Sequence, residues 1–429
     1  MSERDKSKVV AGMPVELFWG YIAVAIFMTG DGIEIAFLSK YLTGIGFSPG
    51  QAAELFTVYG LTAAVSSWLS GALAETFHPR KLMAFGTVWW IAFHALFLTF
   101  GLAHRDSLLM NVFYGIRGIA YPLFYYGFYY WIVQRTPPAR LASALGWVWS
   151  MFVLGYGTLS SFIPSLTIPA IGFLPTLWTS ILWVAAGGIL AVLTMKDTRN
   201  TAPYGGHGPR THLREIAKSI TLITTDRNMF FALVIRVTCN LSLFGFPVIM
   251  PLFYTSKEGG FTMQQWLHIY SLLFAVQLFT NIAWGIIGDR IGWMRQIRWA
   301  GFVGCGVTTL TFYYLPLWMP GNMAIGILAA VLFAITITAF VPMGAIFPTL
   351  APEHKGAAVS VQNLGGGLGN FTPPAIATAL IGVWGIEGVV ICYSVLYFAS
   401  AILTVFIKLD QPGHTRQSRA TVVEQKIAA

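Results

Sequence analysis

Apolar residues along this chain fall in blocks about one bilayer thick rather than in short alternating runs. FWGYIAVAIFMTG, LMAFGTVWWIAFHALFLTFGLA, LWTSILWVAAGGILAVLTM and AIGILAAVLFAITITAFVPMGAIF are examples. At roughly 1.5 Å rise per residue such blocks predict membrane-crossing helices. The strands of a membrane barrel would instead alternate apolar and polar residues over about ten positions. Twelve spans can be drawn, at 17–43, 51–74, 82–103, 108–134, 141–164, 172–195, 228–255, 263–288, 297–318, 321–349, 356–382 and 386–408. The one long hydrophilic stretch between spans opens with KDTRNTAPYGGHGPR, a loop by its Gly, Pro and Asn content. It continues as LREIAKSITLI, where Leu213, Ile216, Ile220 and Ile223 follow helical spacing and predict a short amphipathic helix at the membrane surface. The expected organisation is therefore a tail (1–16), a six-helix bundle (17–195), a linker (196–227), a second six-helix bundle (228–408) and a second tail (409–429).

Composition agrees with this pattern. Hydrophobic residues make up 56% of the 429 and charged residues only 10%, too few to cover a soluble protein of this length. The net charge of +9 could suggest a nucleic-acid partner, but its distribution argues against one. With the N-terminus inside, 21 of the 26 Lys and Arg residues fall on the cytoplasmic side; Lys40, Arg105 and Lys257 fall outside, and Arg117 and Arg236 lie within spans. That bias is the positive-inside rule, and it places both termini in the cytoplasm. The charged start MSERDKSK has no small-residue cleavage site and reads as a retained tail. Cys239, Cys305 and Cys392 sit inside spans without metal-ligand spacing and read as packing residues.

The two halves repeat each other. Gly46-Phe47 and Gly260-Phe261 stand 214 positions apart, as do Gly71 and Gly285, and Glu75 and Asp289. GALAETFHPRK closes a span in the first half as GIIGDRIGWMR does in the second. Arg140 and Lys355 match within one residue. Internal duplication of a six-span unit puts a substrate site between the halves, near the midplane.

With these residues in view, the chain resembles the major facilitator superfamily. Gly71, Glu75, Arg80 and Lys81 look like the loop signature between spans 2 and 3, and Gly285, Asp289, Arg290 and Gly292 repeat it between spans 8 and 9. The first copy departs from the pattern, with Glu for Asp and Pro79 near the usual second Gly. The resemblance implies an all-α membrane protein of twelve helices in two pseudo-symmetric six-helix bundles. It also implies that these loops gate the halves through charge contacts to neighbouring helix ends. WGYIAVAIFMTGDGIEIAFLSKYL, YGIRGIAYPLF, SLFGFPVIMP, GWMRQIRW and FVPMGAIFPTLAPEHKGAAVSVQNL further resemble the bacterial polyol permeases, the ribitol and arabinitol proton symporters. That likeness runs from Trp19 to Gly413. It implies a monomeric, multi-pass protein of the bacterial inner membrane that imports a linear sugar alcohol with protons by alternating access. The fifth span lacks the Gly-Pro-x-x-Gly-Gly pattern of drug/proton antiporters, which favours symport. No Walker motif appears and no cofactor is expected, so the energy must come from a gradient.

Asp31 and Glu34 lie inside span 1 and Arg117 inside span 4, and intramembrane charge is costly enough to mark a functional site by default. Asp31 and Glu34, three apart, share a helix face. Counted along the helices, Asp31 and Arg117 differ by roughly 7 Å in depth, within reach of a long Arg side chain. A carboxylate beside Arg117 predicts proton coupling, with Asp31 as the favoured carrier. A permanent structural ion pair, and Glu34 as the carrier, are the alternatives. His94 reads as a packed or bonded histidine rather than a proton carrier.

A polyol presents hydroxyls and C–H faces, so its site should hold neutral amides and hydroxyls beside aromatic rings. Tyr114, Arg117, Tyr121 and Tyr125 form one helical stripe in span 4, whereas Tyr129, Tyr130 and Trp131 read as an interfacial belt. Candidate substrate contacts are Tyr121, Tyr125, Trp149, Arg236, Asn240, Gln277, Asn281, Gln362 and Asn363, with Asn370 a further amide in span 11. Interhelical hydrogen bonding without substrate is the plainer role for such amides. Arg236 could also snorkel to the inner surface. A carrier of sugars or organic acids is the alternative function, and Arg236 facing the cavity would favour an organic acid. A non-transporting sensor is disfavoured by the short tails, and a membrane enzyme by the lack of a nucleophile–base or metal constellation.

Overall fold

The computed structural model describes residues 9–10, 13–136, 141–195 and 218–409. Apart from a two-residue pairing of Val9–Val10 with Met13–Pro14, these residues fold into helices and short connections. The first part holds α1 (Phe18–Gly32), α2 (Leu38–Gly44), α3 (Pro49–Thr76), α4 (Pro79–Leu96), α5 (Ser107–Arg117), α6 (Ala120–Arg135), α7 (Leu141–Val153), α8 (Ser160–Ile171) and α9 (Phe173–Thr194). A short helix, α10 (218–225), follows the linker; residues 196–217, with most of the expected amphipathic segment, lie outside the described residues. The second part holds α11 (Arg227–Thr238), α12 (Leu241–Tyr254), α13 (Met263–Ile291), α14 (Trp293–Gln296), α15 (Gly304–Trp318), α16 (Met323–Ile337), α17 (Met343–Leu350) and α18 (Lys355–Phe406). Within α18, Gly385 has φ 65° and breaks the helix. Among the described residues, eight helices are long and apolar enough to cross a membrane. Buried apolar side chains form one continuous core through both parts.

The 214-residue offset is present in the backbone as well. Gly46 and Gly260 both adopt positive φ, at 109° and 74°. Each is followed by a capping box, Ser48 with Gln51 at the start of α3 and Thr262 with Gln265 at the start of α13. Reciprocal capping satisfies two of the free backbone donors at a helix start, so the same four-residue device begins the second span of each half.

Four spans are broken near their middles: between α1 and α2, α5 and α6, α11 and α12, and α16 and α17. Freed carbonyls at membrane depth need donors, and side chains of neighbouring helices supply them. Trp266 Nε1 donates to Ala36 O at 2.6 Å in the first break. At the second, Trp89 Nε1 donates to Ile116 O at 3.0 Å and Ser66 Oγ to Ile119 O at 2.8 Å. At the third, Tyr397 Oη reaches Cys239 O at 3.5 Å and accepts from Ser242 N at 2.9 Å. The continuous helices expected across these spans are therefore interrupted at these points.

The two parts meet toward the end opposite the linker. Among the described residues, hydrogen bonds between them join Ser39 Oγ to Pro247 O (3.2 Å), Thr57 to Thr378 (3.0 Å), Ser271 Oγ to Thr158 O (2.9 Å) and Asn370 Nδ2 to Tyr121 Oη (2.7 Å), besides the Trp266–Ala36 bond. Close approach at the α5–α6 break depends on Gly118, where an added Cβ would stand 2.6 Å from Tyr59 O. At Gly285 an added Cβ meets nothing within 4 Å. Gly118→Ala should cost about 1–3 kcal/mol by overpacking against backbone. A lower melting temperature is expected for it in detergent, with Gly285→Ala unchanged; equal behaviour of the two variants would refute this packing.

Candidate functional site

Beside the first two breaks lies a small cavity of about 40 Å³. The first part lines it with Asp31, Glu34, Tyr59, Tyr114, Arg117 and Tyr121, together with Phe152 and Tyr156. The second part adds Phe244, Pro247, Asn370 and Pro374. The mixture of aromatic faces with few polar groups is typical of ligand sites, and a solute would have to part these walls to enter.

Arg117 ends α5 and is 1% exposed. Its guanidinium grips Glu34 with both terminal nitrogens, Nη1 lying 3.1 Å from Oε2 and Nη2 meeting Oε1. Nη1 also reaches His94 Nδ1. The rings of Tyr114, Trp90 and Tyr59 surround the cation at 4.2, 4.8 and 5.4 Å. Cation–π contacts gain strength when desolvated, so these rings are suited to a guanidinium cut off from water. Asp31, also 1% exposed, receives neutral donors instead: Trp90 Nε1 at 2.6 Å and the Tyr59 hydroxyl at 3.2 Å.

The expected pairing is thereby corrected: the ion pair joins Arg117 to Glu34, not to Asp31. Depth counting assumed one continuous helix. The helix ends at Gly32, and the unwound turn after it carries Glu34 to Arg117 while Asp31 stays on the last turn of α1. Both carboxylates nevertheless line the same cavity.

Of the other candidates, Tyr121 lines the cavity and accepts the Asn370 bond. Tyr125 packs edge-on to Phe152, one layer behind the wall, and Trp149 stacks on the same ring while 40% exposed. The remaining candidates are not among the lining residues. Arg236 and Asn240 precede the lining Phe244 by two turns and one turn, and Gln362 and Asn363 precede Asn370 by about two, or roughly 12 Å toward the linker end. Gln362 is directed at Gly344 in α17. Arg236 lies against Gly365 and Gly366, its Nη1 3.2 Å from Cys239 Sγ and its buried Nε without a partner. Gln277 is buried with its Nε2 unpartnered, and Asn281 is half-buried.

Trp131 is 2% exposed and packs edge-on to His78, with Arg135 5.0 Å above its ring, so it is not part of an interfacial belt. Of the gating candidates, Arg80 is half-buried, Arg290 is exposed, and Asp289 accepts from Trp293 Nε1 at 3.1 Å. Arg140 lies outside the described residues, as do the surroundings of Gly71 and the side chain of Glu75.

Tyr59, Trp90, Phe152 and Tyr156 are site residues that sequence reasoning missed. A deep Tyr or Trp whose polar tip needs a partner was the available signal.

A cavity deep in a bundle of bilayer-length helices and walled by both parts is placed as a membrane transporter's would be. The chain belongs to the Major Facilitator Superfamily, whose family model matches residues 20–345 and 271–429. It is 46% identical over 409 residues to a ribitol transporter of Klebsiella pneumoniae, covering 95% of this chain and 96% of that one. A D-arabinitol transporter of the same organism is 44% identical over 414 residues, covering 96% and 97%. An alpha-ketoglutarate permease of Bacillus subtilis is 38% identical over 400 residues, covering 93% and 91%. Among solved structures, a mutant form of the nucleoside transporter NupG superposes with a TM-score of 0.71 at 13% identity, covering 91% of this chain and 99% of that one.

Removing Glu34 would leave a buried guanidinium without its counter-charge, which typically costs about 3–5 kcal/mol. Glu34→Gln should therefore lower the melting temperature in nanodiscs sharply, and adding Arg117→Gln should recover much of the loss. A single variant as stable as the parent would rule the ion pair out.

Proposed function

We propose that this protein imports a linear sugar alcohol of the ribitol or D-arabinitol class by proton symport. The observation that carries this reading is the pair of polyol-transporting relatives at 46% and 44% identity, each aligned over nearly the whole of both chains. The chemistry of the cavity agrees. Ring faces from Tyr59, Phe152 and Tyr156 suit the C–H side of a polyol, and the Tyr121–Asn370 bond offers a hydroxyl and an amide that substrate hydroxyls can replace.

In this reading the chain crosses the bacterial inner membrane twelve times as a monomer, with both termini in the cytoplasm. The two six-helix bundles rock about the central site. Contacts between the parts toward the end opposite the linker then correspond to a state closed to the outside. Asp31 carries the proton, and the Glu34–Arg117 pair provides the fixed charge beside it. Arg236, Asn240, Gln277, Asn281, Gln362 and Asn363 lie along the path toward the cytoplasm, with Tyr125 and Trp149 supporting its aromatic side. The Gly71–Glu75–Arg80 and Gly285–Asp289–Arg290 loops hold one state against the other.

A second reading, a carrier of organic acids, is favoured by one observation: Arg236 is an intramembrane cation whose buried Nε has no partner, and the 38% relative is named an alpha-ketoglutarate permease.

Uptake of radiolabelled ribitol, D-arabinitol, xylitol and alpha-ketoglutarate into expressing cells, at two external pH values and with an uncoupler, separates the readings. Uncoupler-sensitive accumulation of one polyol, lost in Asp31→Asn, is the expected result. Accumulation of alpha-ketoglutarate alone, abolished by Arg236→Gln, would establish the second reading instead. Asn370→Ala should raise the polyol KM about tenfold, the loss of one hydrogen bond in a buried site. An unchanged KM would take Asn370 out of the substrate site.

A further inference from the structure

His94 stands outside the cavity wall, yet it touches the charge cluster directly. It is 0% exposed on α4, its ring stacked on Trp90 at 4.4 Å. Its two nitrogens meet partners of opposite kind. Nε2 lies 3.1 Å from Leu177 O, a carbonyl that can only accept, and Nδ1 faces Arg117 Nη1, which can only donate. Both bonds exist together in one form alone, the neutral ring with its proton on Nε2.

From the turn after α1, Glu34 faces the same Nδ1, its Oε2 3.8 Å away. From α5 come Arg117 and Tyr114, and from α9 the Leu177 carbonyl. Asp31 and Tyr59 complete the cluster, joined to each other and to the Trp90 indole rather than to His94. Arg117 therefore has two acceptors on the Glu34 side, a carboxylate and an imidazole nitrogen. The Asp31 carboxylate is occupied by two neutral donors.

We propose that His94 is a positioning residue: as a neutral acceptor it holds Arg117 on Glu34 and so keeps Asp31 free of a direct ion pair. A second proton on the ring would turn Nδ1 into a donor and set a cation against the guanidinium, releasing Arg117. This deepens the proton-symport reading of the same site by naming what keeps its two carboxylates distinct.

The test is infrared titration of the protonated-carboxyl band in the full chain reconstituted into nanodiscs, with the Asp31 contribution identified by Asp31→Asn. His94→Asn retains an acceptor where Nδ1 stands, and His94→Phe retains the ring without one. His94→Gln keeps a donor toward Leu177 O but vacates the Nδ1 position, and it replaces the Phe variant should that fail to fold. In His94→Phe or His94→Gln, Arg117 keeps Glu34 but loses its second acceptor on that side and can turn Nη1 toward Asp31. The midpoint of the Asp31 band should then fall by about one pH unit or more, the usual effect of an adjacent Arg on an Asp. In His94→Asn it should stay near the parent value.

Three results would each overturn the proposal: an unmoved midpoint in both acceptor-free variants, an Asn variant shifted as far as they are, or no Asp31 band in the parent. The pH dependence of uptake is read separately. Accumulation indifferent to pH and uncoupler, beside a band that moves as described, would end the symport reading and leave the role of His94 intact.

Discussion

A guanidinium with almost no exposed surface inside a membrane-spanning bundle must have its charge answered within a few ångströms, and much of this site follows from that demand at Arg117. A carboxylate has to reach it, and Glu34 does so because the chain unwinds after Gly32. Unwinding frees backbone carbonyls, and these need donors from neighbouring helices. Trp266 supplies one from the other half of the molecule, so the break in the first span is tied to the contact between the halves. Burying the charge, breaking the helix and joining the two parts are three consequences of one constraint.

How far the sequence could be read follows the same physics. Bilayer-thick apolar blocks and the 214-residue repeat are long-range regularities, so an all-helical fold of the right family was legible without coordinates. The choice of Asp31, Glu34, Arg117 and Tyr121 was legible because polar groups in apolar spans are conspicuous. The pairing was not, since it turns on a helix break that contains no proline. Gly-Asp-Gly at 30–32 and Gly-Ile-Arg-Gly at 115–118 stand at the breaks, but glycine in a membrane helix serves close packing at least as often. Asn240, Gln362 and Asn363 fell one or two turns from the cavity for a related reason. Type and helical face were readable, whereas depth along a broken helix was not.

The two parts share backbone devices but not chemistry. Capping boxes and mid-span breaks occur in both, and the buried ion pair occurs in the first alone among the described residues. What the second part brings to the cavity is apolar or neutral: Phe244, two prolines and Asn370. In the proposed cycle such a division lets one part change its protonation while the other meets a neutral solute, with the Tyr121–Asn370 bond at their junction.

Charge balance explains why a proton belongs in the proposed cycle at all. The cluster holds two carboxylates, Asp31 and Glu34, against one guanidinium, so with these three ionised and His94 neutral it bears one negative charge away from bulk water. A neutral polyol cannot cancel that charge; it can only donate hydrogen bonds to it. A proton can cancel it, and Asp31 is the carboxylate not committed to Arg117. Ligands that share one cavity and one conformational equilibrium are thermodynamically linked: each must alter the affinity for the other by the same factor. Coupling then needs no separate relay. In the proposed cycle it follows from placing a single unbalanced carboxylate in the cavity wall and holding the guanidinium of that wall on its neighbour.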